Sequence, residues 1–202
     1  MRHSIKRDFA EVFGVTDRLI SLMPTISAIE VGPRKLVCEI VLIRLFLALE
    51  NSTKSIFSKL ACETPYLDGS QPVVLHPSKT MKGAIGAMQT LSRPKHRQLR
   101  WTDSKEIREN IRFIIASNDH CYSVVTSFAG NLTEMRHIRN HIAHNNETTR
   151  KHFHKIVRRR YGALRKGMTP GAMLLSKRGG NNPLLEDFIH VARAFIKDLT
   201  KA

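Results

Sequence analysis

LVCEIVLIRLFLAL, residues Leu36 to Leu49, is the stretch that decides the fold. Apolar side chains cover nearly the whole circumference of the helix it would form, which predicts a central, buried helix. Glu39 and Arg44 break the run and it is too short to span a bilayer comfortably, so it reads as a core element. The helix is expected from Arg34 to about Ala61. Glu39 and Glu50 are eleven residues apart and fall within about 20° on one face. Two carboxylates on an otherwise apolar helix want cationic partners.

Working outward, Ser4 to Met23 has apolar residues at helical spacing, with Gly14 as an expected interruption and Pro24 and Gly32-Pro33 as punctuation. From Thr64 to Thr102 the chain is rich in Pro and Gly and has no acid between Gly69 and Thr102. Its Lys79, Lys82, Arg93, Lys95, Arg97 and Arg100 make it a basic insertion, with a short helix expected over Thr80 to Leu91. That insertion reads either as a solvated loop or as a flap that orders on nucleic acid. Thr102-Asp103-Ser104 is a capping cluster, and a helix is expected from there through Ile115, on to Val125, ended by Gly130. A second acid-free run, Thr148 to Leu185, holds ten Lys and Arg residues, and Gly179-Gly180-Asn181-Asn182-Pro183 reads as a turn. Leu184 to Leu199 reads as an amphipathic closing helix. The expected fold is one all-α domain over 1–202: an up-and-down bundle of four to five main helices with basic insertions at 64–102 and 148–183.

Thirty-three Lys and Arg against 17 Asp and Glu give a formal net charge of +16. Such an excess attracts polyanions, of which nucleic acid is the commonest; an anionic membrane surface or an acidic protein also fits. Three cysteines without CxxC spacing speak against a disulfide framework or a zinc ribbon and suit a reducing, cytoplasmic setting. The first residues, MRHSIKRDFAEVF, lack the apolar core of a signal peptide.

The chemistry is concentrated in RNHIAH, residues Arg139 to His144. Asn131 and Glu134 form a capping-box pattern at the expected start of that helix. Leu132, Met135, Ile142 and Ala143 make an apolar stripe, and Arg139 falls inside it. An arginine there cannot shed its proton, so it needs an anion, a carboxylate or a hydrogen-bonding cradle. A buried salt bridge to Glu39 or Glu50 would serve; so would a phosphate. Histidine is the side chain suited to proton transfer near neutral pH, and arginine offers phosphate oxygens a planar fork of donors. Along an ideal helix Arg139 and His144 diverge by about 140°, so they meet only if the helix ends near Ala143 or across a two-fold axis.

RNHIAH resembles the Arg-x4–6-His signature of the HEPN superfamily, helical bundles that include metal-independent endoribonucleases. The order of elements is similar as well. The resemblance implies cleavage of RNA to 2′,3′-cyclic phosphate and 5′-OH ends, without cofactor or metal, by Arg139 as charge clamp and His144 as general base or acid. Asn140, His141 and Glu50 would support them, and Lys151, Lys155, Arg158, Arg159 and Arg160 would hold the RNA. It also implies a homodimer with a composite cleft. A toxin or effector role in bacterial defence would follow, restrained by a nucleotidyltransferase-type antitoxin or an ATPase sensor. Three rival readings stay open. The motif could be structural in a basic RNA- or DNA-binding module, or the chain an adaptor for an acidic protein. His137, His141 and His144 could also hold a metal on one helical face.

Overall fold

A computed structural model describes residues 4–91, 98–177 and 182–201. Of the described residues, 70% are helical. Nine helices are found among the described residues: α1 Lys6–Ala28, α2 Val31–Leu60, α3 Met81–Leu91, α4 Ser104–Ile111, α5 His120–Ser127, α6 Ala129–His144, α7 Glu147–Tyr161, α8 Pro170–Leu174 and α9 Leu184–Leu199. Five of them (α1, α2, α6, α7, α9) have 15 residues or more. These are the main helices of the expected all-α fold.

α2 is the centre. It touches α1, α3, α6, α8 and α9, and Cys38, Leu42, Leu45, Leu49, Ile56, Phe57 and Leu60 along it are sealed from solvent. It starts earlier than expected, at Val31, because Gly32 and Pro33 fall in the first turn, where the missing proline N–H leaves no helical bond broken. α1 likewise runs through Gly14 and continues past Pro24 to Ala28. α9 matches its expected bounds, with Phe188, Ile189, Phe195 and Ile196 buried on one face.

The two insertions are more ordered than their composition suggests. In the first, Tyr66 and Trp101 are core residues, Trp101 stacking on Phe57 at 5.9 Å between ring centroids. An isolated bridge joins Val74 to Ile115, with Leu75 N–H donating to Ile114 O at 2.8 Å. The segment is therefore stitched to the bundle rather than solvated throughout; Arg93, Lys95 and Arg97 lie outside the described residues. The second insertion is mostly α7 and α8, and Gly179, Gly180 and Asn181 lie outside the described residues. The helix expected from Ser104 to Val125 is two helices, because Asp119 caps a new one at His120. Gly130 and Asn131 sit inside α6, which begins at Ala129, so Asn131 and Glu134 form no capping box. Glu134 is instead buried between helices.

Among the described residues Glu39 finds no cation. Its Oε1 accepts the Gly171 N–H at 2.8 Å, at the start of α8, so a carboxylate on the central helix holds down a short helix across 132 residues of chain. The approach is close: a Cβ on Gly171 would lie 2.5 Å from the Lys35 carbonyl oxygen. Gly171→Ala is expected to destabilise the fold by about 1–3 kcal/mol through that backbone clash. Thermal unfolding of the variant checks it; an unchanged melting temperature would show that α8 does not seat here.

Candidate active site

α6 and α7 form a helical hairpin with a turn of only Asn145 and Asn146. Asn145 takes the left-handed conformation (φ 37°, ψ 40°) and its N–H donates to His141 O at 3.0 Å. Asn146 caps α7 reciprocally with Thr149, the Asn146 Oδ1 accepting Thr149 N–H at 2.9 Å and Thr149 Oγ1 accepting Asn146 N–H at 3.1 Å. His144 is thus the last residue of α6 and is exposed. Arg139 and His144 both lie within α6, so the end of the helix does not by itself bring them together.

One cleft of about 420 Å³ is lined by Phe46 and Glu50 from α2, Gln98, Arg100 and Thr102 from the segment before α4, and Arg136, Arg139, Asn140 and His144 from α6. Arg136, Asn140 and His144 recur every four residues, each step turning about 40°, and Arg139 lies one place aside. Arg139 and His144 therefore wall the same cleft within a single chain.

Arg139 is half-buried, and its surroundings answer how it tolerates the apolar stripe. Its guanidinium carbon stands 5.4 Å from the centroid of the Phe46 ring, a cation–π contact, and its Nη1 donates to Asn140 Oδ1 at 3.0 Å. That bond turns the Asn140 amide so that its Nδ2 remains a donor. Among the described residues no carboxylate reaches ion-pair distance of Arg139, and Glu39, one expected partner, is committed to Gly171. Glu50, the other, shares the cleft with Arg139 without pairing with it. Arg136 differs: its Nη2 holds Asp103 Oδ2 at 3.0 Å, while Asp103 Oδ1 caps α4 through the Lys105 and Glu106 N–H groups at 3.0 and 3.1 Å. Arg136 fastens α6 to α4, and of the two α6 arginines in the cleft Arg139 is the one without an ion pair among the described residues.

The remaining expected residues divide. Asn140 and Glu50 are in the cleft, but His141 is not: it stacks on Phe153 (4.9 Å, 25°), with Nδ1 3.4 Å from Thr149 Oγ1, and so binds α6 to α7. Burial, followed by the charges of His154 and Arg150, pulls its pKa down. His137 faces a different groove of about 190 Å³, with Thr133, Glu134, His152, Lys155, Ile156 and Arg159. The three histidines of the metal reading thus have three separate surroundings, and among the described residues no cluster of three ligating side chains is found.

On α7, Arg159 Nη2 donates to Glu134 Oε2 at 2.9 Å and Arg160 Nε to Glu134 Oε1. Both arginines neutralise a carboxylate only 6% exposed, so each has a structural task. Lys151 makes an exposed pair with Glu147 at 2.7 Å. Lys155 and Arg158 remain open, along a shallow groove shared with Thr148, Lys151, His152 and His154.

Sequence reasoning did not single out Arg136, Phe46, Gln98, Arg100 or Thr102 as site residues. The first two had a signal, Arg136 lying four residues before Asn140 and Phe46 four before Glu50. Gln98, Arg100 and Thr102 had none, since a connection carries no periodicity.

Burial, reinforced by Arg136, His152 and Arg159 and opposed by Asp103, pushes the His137 pKa down to about 4. Between there and the ordinary value near 6.5, the unfolded chain binds a proton that the folded one refuses, so stability falls as pH falls through that window. His137→Gln is expected to flatten the dependence of melting temperature on pH between about 6.5 and 4. An unchanged slope would show that the imidazole is not desolvated in this groove.

Compared with known families, curated proteins and solved structures, the chain matches no family model, no curated protein and no solved structure. The protein is all-α and strongly basic, and one cavity holds an imidazole, a carboxylate and an arginine with no carboxylate partner among the described residues. That set can bind a phosphate and move protons around it.

Proposed function

We propose that the protein is a metal-independent endoribonuclease of HEPN type. It cleaves RNA to a 2′,3′-cyclic phosphate and a 5′-OH end. The observation that carries this reading is the sharing of one cleft by Arg139, which has no carboxylate partner among the described residues, and His144. Arg139 clamps the phosphate and the charge that builds on it, while His144 transfers a proton. Arg100 adds a second cation to the cleft, and Lys155 and Arg158 offer further phosphate contacts. A cytoplasmic toxin or effector, held in check by an antitoxin of nucleotidyltransferase type or by an ATPase sensor, is the biological setting we favour.

A homodimer belongs to the same proposal. Leu36, Ile40 and Leu47, which are 63%, 65% and 47% exposed, lie with Ile43 at heptad a/d spacing along α2, the helix that supplies Phe46 and Glu50. That seam suits pairing with a second copy of itself. Among the described residues no helix is long and apolar enough to cross a membrane.

The test is RNA cleavage by the purified chain in EDTA, with the new ends mapped, beside growth arrest on expression. Cleavage that EDTA abolishes contradicts the metal-free chemistry. Steeply salt-dependent binding without cleavage favours the second reading, a nucleic-acid-binding module, which the open Lys155 and Arg158 groove supports.

A further inference from the structure

The geometry points to Glu50 as the general base of this reaction and His144 as its general acid, which would give a single chain both proton-transfer groups. The inference rests on the ribonuclease reading above and goes beyond it by assigning each proton. In-line attack of a ribose 2′-OH requires a proton to leave one oxygen while another arrives at the departing 5′-oxygen. One imidazole cannot stand at both atoms in the same step.

Among the described residues lining the cleft, Glu50 is the only carboxylate and His144 the only imidazole. They enter from different elements, Glu50 from the central helix and His144 from the end of α6, as two groups serving opposite ends of a phosphodiester should. Glu50 is half-buried on a basic chain, and the cleft holds Arg100, Arg136 and Arg139. Yet it makes no ion pair among the described residues. Each neighbouring acid with a structural task shows that task. Glu39 holds Gly171, Asp103 holds Arg136 and caps α4, and Glu134 holds Arg159 and Arg160. Glu50 has none, and its oxygens are free to accept.

The step balances within the cleft. The Glu50 carboxylate takes the 2′-OH proton and the 2′-oxygen bonds to phosphorus. The bond from phosphorus to the 5′-oxygen breaks as the His144 imidazolium protonates that oxygen. Arg139 and the Asn140 Nδ2 donate to the non-bridging oxygens throughout. Glu50 ends protonated and His144 neutral, and exchange with water resets both.

Single-turnover cleavage by the full chain is to be followed across pH, on RNA carrying either the natural 5′-oxygen or a bridging 5′-sulfur at the mapped cut. A thiolate leaves without being protonated, so the sulfur substrate removes the need for a general acid. E50Q is expected to lower kcat by about 10²–10⁴-fold with KM little changed, and to lose the acidic limb of the pH profile. E50D should keep that limb at a reduced rate, and decides the matter if E50Q does not fold. The sulfur substrate should rescue H144A and leave E50Q slow. Wild-type kcat and profile in E50Q, with R139A and H144A inactive, would overturn this assignment and leave the ribonuclease reading standing. Rescue of E50Q in place of H144A, or an E50D profile without the acidic limb, would overturn it too. Absence of cleavage by the wild-type chain would overturn both.

Discussion

Arg139→Ala should lower the rate of RNA cleavage by about 10²–10³-fold, and His144→Ala by about 10²–10⁴-fold. The arginine figure follows from removing a preorganised charge aimed at a phosphorane, the histidine figure from removing a positioned proton donor or acceptor. Arg139→Lys should recover little. It keeps the charge, but loses both the planar fork and the face that lies over Phe46. The two single losses should not multiply in the double variant, since both groups act in one step. His144 is exposed and makes no hydrogen bond among the described residues, so its removal should leave the melting temperature unchanged. Cleavage assays beside melting curves read both quantities. Undiminished cleavage by either alanine variant ends the enzyme proposal.

Asp119→Ala should cost the fold about 3–5 kcal/mol, a fall of roughly 10 °C in melting temperature. Asp119 is 4% exposed and serves three donors. Its Oδ1 accepts the Tyr66 hydroxyl at 2.5 Å and the Cys121 N–H at 2.9 Å, and its Oδ2 accepts the Val73 N–H at 2.8 Å. One carboxylate thus caps α5 and pins the first insertion. Alanine would strand a buried phenol and two backbone N–H groups, each costing about 1–3 kcal/mol. Burial alone would raise the Asp119 pKa, but the bonds from Tyr66, Val73 and Cys121 outweigh it and the net direction is down. A depressed carboxylate pKa stabilises the fold above the unfolded value, about 3.9, and that contribution is lost as pH falls through the folded one. The deficit of the variant should therefore shrink in acid. Denaturant unfolding at neutral and acidic pH checks both claims, and a variant as stable as the wild type refutes them.

What was legible in the chain was what periodicity and chemistry carry. α2 and α9 could be read because apolar residues recur at the helical period, and RNHIAH because an arginine inside an apolar stripe violates it. The fate of Glu134 was not legible. An acid three residues after an asparagine looks like a capping box, and only the packing of α7 shows it to be the counter-ion of Arg159 and Arg160. The same holds for Glu39, whose partner is a backbone N–H far along the chain. His141 shared a motif with His144 but faces Phe153, since neighbours in sequence point about 100° apart per step around a helix. Arg100 could be counted among the basic residues but not aimed.

The left-handed residue that ends α6 has a further bearing. Because Asn145 joins the end of α6 to the start of α7, the direction in which α7 leaves α6 hangs on the dihedrals of one residue at positive φ. Asparagine and glycine accept that angle cheaply, whereas a β-branched side chain resists it. Valine at 145 would strain that turn and loosen the seating of α7, which carries Lys155 and Arg158, without touching Arg139 or His144. A single backbone joint therefore sets where the basic helix α7 lies.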